Sequence, residues 1–129
     1  WGVNKSGEDY IAYLFASVEG FSKVFTYEGN GNADGPFVYC GFKPAFILLK
    51  NVNSSTQNWR VYDIARSTYN PVTISLRADT NAAEVSDRGV IDFNANGFKI
   101  RNATYPNRSG DQYVGIAFAE YPFALQGGQ

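Results

Sequence analysis

Histidine is absent from the 129 residues and Cys40 is the single cysteine. Without imidazole or a second thiol, Ser-His-Asp triads, zinc sites and intramolecular disulfides are excluded. Carboxylates remain, and Asp63, Asp92 and Glu120 are the acids nearest apolar runs. Glycoside cleavage needs two carboxyl groups about 5 to 10 Å apart across a sugar. The spacing of these acids singles out no pair, and Arg60, Arg66 and Arg101 stand ready to neutralise them on a solvated sheet face. No enzymatic activity and no cofactor are expected. Cys40, between Tyr39 and Gly41 in an apolar run, reads as a small inert hydrophobe.

Two other groups of side chains could hold a ligand. Asn30, Asn32 and Asp34, followed by Gly35, match the first half of a calcium loop, with oxygen side chains at positions 1, 3 and 5 and glycine at 6. Position 12 is Gly41 instead of a bidentate glutamate, so the stretch is the weak metal candidate of this chain and otherwise a Gly/Asn turn. Sugar recognition stacks aromatic faces on pyranose rings and hydrogen-bonds the hydroxyls. Tyr69-Asn70 and Tyr105-Pro106-Asn107 fall in loops, where a core role is harder to assign, and Trp59 adjoins a polar loop. Tyr69, Asn70, Tyr105, Asn107 and Trp59 are therefore the candidate ligand-binding residues. Trp59 shares a face with Val61 if the run is a strand, which argues for packing.

Short strands must position these residues. Hydrophobic residues make up 44% of the chain and aromatic ones 16%, which excludes disorder and favours strands. Strands are predicted over 10–15, 23–27, 37–42, 45–51, 59–64, 72–76, 90–93, 98–101 and 113–118, and no stretch has a helical period. Asn96-Gly97 predicts a hairpin turn built on residues that tolerate positive φ. Residues 78–88 read as an exposed connection. The run AFILLK suggests a central strand covered on both faces, and WRVYD a half-exposed strand nearer an edge. Such a chain should fold as an all-β, antiparallel two-sheet sandwich of jelly-roll or lectin-like type. The formal charge of -1, with charges scattered singly, offers no field for nucleic acid. No apolar run reaches the roughly 18 residues of a membrane span, so no membrane insertion is expected.

The two ends of the sequence repeat one another. NKSGEDYIAYLFA, from Asn4 to Ala16, aligns without gaps on NRSGDQYVGIAFA, from Asn107 to Ala119, at an offset of 103 residues (107 − 4). Asn, Ser, Gly, Tyr, Phe and Ala recur identically. Fixed-period repeats usually mark tandem modules. On this reading residues 1–16 are the equivalent of the closing strand of a preceding module, 17–123 form the domain and 124–129 a tail or linker. Two alternatives stay open: pseudo-symmetric strands pairing inside one domain, and strand addition to another copy.

The segments SGEDYIAYLFA, GFKPAFILLK, NWRVYDIAR, NGFKIR and YVGIAFAEYPF resemble an uncharacterised domain of tailed-phage and marine viral structural proteins, often tail-fibre-like. The resemblance covers nearly the whole chain. It implies an extracellular location on the virion, in a tail or fibre, and attachment to host-surface glycan or protein. It further implies a homo-oligomer, a trimer by analogy, or a neighbouring virion protein as partner. It brings no catalytic residues. A purely structural module, assembling a fibre or virion from tandem or strand-exchanging copies, is the alternative.

Overall fold

Alternation with a period of two is clearest at the first strand, β1 (Ser22–Glu28), where Phe25 and Tyr27 are buried while Val24, Thr26 and Glu28 are exposed. The same logic builds β2 (Phe37–Tyr39), β3 (Pro44–Asn51), β4 (Arg60–Asp63), β5 (Val72–Arg77), β6 (Val85–Asn94), β7 (Gly97–Ile100) and β8 (Gln112–Ala119). A computed structural model describes residues 2–123, apart from the side chains of residues 87–89. No helix occurs among the described residues. The suggested tail, 124–129, lies outside them.

All neighbouring strands are antiparallel and form one eight-stranded sheet in the order β1-β8-β3-β4-β5-β6-β7-β2. The sheet curls into a nearly closed barrel. The chain is all-β as expected, but one curled sheet stands where two packed sheets were expected. The physical reason is that inward side chains of distant strands meet directly. The Phe25 ring of β1 lies edge-on to Phe98 of β7, with centroids 5.0 Å apart, and Tyr27 of β1 meets the same Phe98 ring at 6.4 Å. Ile47, Leu49, Tyr62, Val72, Val90, Ile91 and Ile100 complete the interior.

Four sequence expectations need correction. Residues 10–15 form no strand. The β6 strand starts at Val85, inside the expected exposed connection, because Val85 and Ser86 pair with Ser75 and Ile74 of β5. Beyond Ser86 the pairing is irregular, so alternation could not show it. The strand β4 lies between β3 and β5, away from either edge; the edges are β1 and β2. The β6–β7 hairpin is present with Ala95-Asn96 as its loop, yet neither Asn96 nor Gly97 has positive φ. Gly97 is required for close approach instead, since a Cβ there would collide with the Val38 carbonyl and stand 3.1 Å from Tyr39 Cα.

AFILLK is covered on both faces for a local reason. Ile47 and Leu49 point inward, while Phe46 and Leu48 lie half-buried on the outer face, where Phe46 packs on Phe118 of β8. Antiparallel pairing collects the loops at two ends. One end carries residues 40–43, 64–71, 95–96 and 120–123; the other carries 29–36, 52–59, 78–84 and 101–111.

Candidate functional site

The topology separates the candidate ligand residues. Tyr69 and Asn70 lie at the first end, and Trp59, Tyr105 and Asn107 at the second. At the second end the side chains hold the fold. Asn107 is fully buried; its Oδ1 accepts the Asn30 backbone N–H at 2.8 Å, and its Nδ2 lies 2.8 Å from Asn30 Oδ1, 2.8 Å from the Asn32 carbonyl and 2.9 Å from the Asn102 carbonyl. One amide thus pins two loops, as a buried polar group must when it has left water. Tyr105 sets its ring edge on Tyr113 with centroids 6.0 Å apart, donates its hydroxyl to the Asn58 carbonyl at 3.1 Å and lies under the Arg60 guanidinium, 5.4 Å from its ring centroid. Trp59 is half-buried outside the barrel, beside Leu48, Val114 and Ile116.

The calcium-like loop spends its oxygens internally. Asn30 Oδ1 accepts from Asn32 N at 3.0 Å, Asn32 Oδ1 accepts from Asp34 N at 2.9 Å, and Asp34 pairs with Lys99 at 2.7 Å. The hydrogen bond from Lys99, followed by its charge, holds the Asp34 carboxyl below its ordinary value. These donors face N–H groups and a cation, the chemistry of a turn and not of a calcium cradle. Among the described residues no group of three or more Cys, Asp or Glu could hold a metal.

Each of the three candidate acids is paired with a base. Asp63 meets Arg66 at 3.3 Å, Asp92 meets Arg101 at 2.5 Å and Glu120 meets Lys43 at 2.7 Å. Two of these partners were anticipated from sequence; Lys43 was not, because it is distant along the chain. Burial pushes the Cys40 thiol up to about 11, so it stays protonated and unreactive.

The first end is different in kind. The Asn70 side chain donates to the Phe93 carbonyl at 2.8 Å and accepts the Phe93 N–H at 2.9 Å, which fixes the loop and leaves Tyr69 84% exposed. Tyr121, in the segment after β8, is 70% exposed, and Tyr39, at the end of β2, is 63% exposed. Beside Tyr121 is a shallow apolar hollow floored by Phe42, Ala95 and Ala119 and edged by the Lys43–Glu120 ion pair. Sequence reading missed Tyr39 and Tyr121. Tyr39 sits in an apolar run that resembles core, and Tyr121 belongs to the closing AFAEYPF; only the fold shows that both share one rim with Tyr69.

A family model described as Domain of unknown function (DUF7483) matches residues 2–122. The chain belongs to this family. The match spans the whole barrel and includes the segment before β1. No curated protein and no solved structure shows significant similarity to the chain.

Proposed function

We propose that this domain is a non-enzymatic attachment module of a virion surface, tail-fibre-like, which holds host-surface glycan or protein on the rim bearing Tyr39, Tyr69 and Tyr121. The observation that carries the reading is that three exposed tyrosines, Tyr39, Tyr69 and Tyr121, lie at one end of the barrel, Tyr69 on a loop held by Asn70. An exposed aromatic ring on a fixed loop can stack on a sugar or enter a protein interface at little conformational cost. The Lys43–Glu120 pair beside them supplies a donor and an acceptor for hydroxyls. The virion location rests on the resemblance of the sequence segments to viral structural proteins. Each rim offers a weak site, so useful avidity comes from several copies on one oligomer.

The test is a glycan array and a host-cell binding assay with the domain displayed on a trimeric carrier. Binding that falls at least about tenfold in a Tyr69→Ala/Tyr121→Ala variant of unchanged melting temperature is the expected result; about tenfold corresponds to one lost contact of roughly 1.4 kcal/mol. Absence of binding by any multimer, or binding untouched by both substitutions, rejects the rim.

A further inference from the structure

The end repeat is structural as well as sequential. Gly7 and Gly110 both adopt positive φ, +81° and +79°. Glu8 N donates to the Lys5 carbonyl at 3.3 Å, and Asp111 N donates to the Arg108 carbonyl at 3.1 Å. Lys5 N donates to Tyr10 Oη at 3.1 Å, and Arg108 N donates to Tyr113 Oη at 3.0 Å. The same turn, locked by the same tyrosine hydroxyl, therefore precedes both strand-like runs. The first copy forms it with no barrel around it, so the turn is a property of the local sequence.

Beyond the turn the two copies differ. Residues 112–119 are bonded to β1 on one side and β3 on the other. Among the described residues, no backbone hydrogen bond joins residues 10–15 to a strand, and Ile11 and Leu14 are 83% and 88% exposed. An exposed apolar run with unmade backbone hydrogen bonds is open to pairing with another sheet. By the offset, Tyr10, Ala12, Leu14 and Ala16 take the inward places of Tyr113, Gly115, Ala117 and Ala119, while Ile11, Tyr13 and Phe15 take the outward places of Val114, Ile116 and Phe118.

The slot of an identical barrel does not accept this run. A Cβ at position 115 would collide with the Leu48 carbonyl and come within 2.6 Å of the Phe25 ring, and Ala117 is fully buried with no room for leucine. We infer that residues 4–16 are the eighth strand of a different barrel of this family, one that precedes β1 in the same polypeptide. In that barrel the strand equivalent to β3 takes a different backbone course opposite position 12, since no side-chain change removes a carbonyl in the place of Leu48, and side chains smaller than those here stand opposite positions 12 and 14, one of them in the place of Phe25. The 103-residue offset supports this arrangement, being one barrel long.

The connection is short and tied down. Ser22 Oγ donates to the Ala16 carbonyl at 2.7 Å, Val24 N donates to Ser17 Oγ at 3.0 Å, and the Phe15 ring meets Phe118 edge-on with centroids 6.0 Å apart. Successive barrels are thereby held in a fixed relation, which would set the spacing of any rims they carry. The inference goes beyond the attachment reading and stands whether or not the rim binds a ligand.

Hydrogen exchange on the isolated 129-residue chain and on the full natural polypeptide tests it. Amides of residues 11–16 are expected to exchange at nearly free-peptide rates in the isolated chain and at least a hundredfold more slowly in the full polypeptide. Equal rates in the two overturn the inference. Protection that appears in the isolated chain at high concentration and vanishes on dilution makes an identical second copy the partner, and overturns it as well. A second arm writes the segment's residues into β8. Gly115→Ala/Ala117→Leu is expected to lower the melting temperature by roughly 10 °C or more, whereas Val114→Ile, at a half-buried outward position, moves it by only about 3 °C. If the inward pair is tolerated, identical barrels can exchange strands and the selective partner is wrong.

Discussion

Asn107 carries more of this structure than any other polar side chain at its end of the barrel. Its amide, itself fully buried, engages the 29–36 loop through Asn30 and Asn32 and the 101–106 loop through Asn102. Truncation to alanine leaves the Asn30 N–H and the Asn32 and Asn102 carbonyls, in part-buried hydrogen bonds, without their partner. An unsatisfied buried polar group costs about 1–3 kcal/mol. Asn107→Ala should therefore destabilise the fold by about 2 kcal/mol in urea denaturation, with an unchanged m-value. Tyr69→Ala at the opposite end, removing an exposed ring, should shift stability by no more than about 0.5 kcal/mol. A stability loss at Tyr69 comparable to that at Asn107 would show that the loop tip packs, against its exposure of 84%.

Among the elements, the short strand β2 depends on a glycine opposite it. Three residue pairs join β2 to β7, and Gly97 faces Tyr39 in the last of them. A methyl group at position 97 would meet the Val38 carbonyl and Tyr39 Cα. Backbone has to move, which is more expensive than turning a flexible side chain. Gly97→Ala is expected to lose about 1–3 kcal/mol. The loss should appear in hydrogen exchange as fast amides in residues 37–41, while β8, held on both sides, stays protected. Uniform loss of protection across both strands would mean that β2 and the rest of the barrel open as one unit.

For the whole molecule, the interior tyrosines set the response to alkali. Burial first, and then the neighbouring Tyr113, Tyr62 and Tyr105, raise Tyr27 well above its ordinary value, and burial likewise raises Tyr113. Both are neutral in the fold and ionise more readily once unfolded. The unfolded chain thus releases protons first, so the stability they contribute is complete below about pH 10 and declines as pH rises above the unfolded tyrosine value. Spectrophotometric titration should show a delayed group of tyrosines, Tyr27 and Tyr113 among them, that ionises together with loss of strand signal. A single smooth titration of all nine tyrosines, with the fold intact, would contradict the buried stack.

Much of this could be read from the sequence because it is local. Alternation gave β1, β3, β7 and β8 nearly to their ends, since burial of one strand face needs a period of two whatever the partner strand is. The turn at Gly7 and Gly110 is local too, and the repeat was visible as an alignment before its hydrogen bonds were known. Tyr69 stood out as a loop aromatic and is exposed as such a residue should be. Strand order, by contrast, is a matter of contacts between residues far apart in the chain. That is why one curled sheet was taken for two, why β4 was placed toward an edge, and why Ser86 was read as loop. Asn107 and Tyr105 look like loop residues in any window of sequence; only the arrival of Asn30, Arg60 and Tyr113 from elsewhere turns them inward. The rim of Tyr39, Tyr69 and Tyr121 was likewise decided by tertiary structure alone, because antiparallel pairing brings the ends of three distant strands to one side of the barrel.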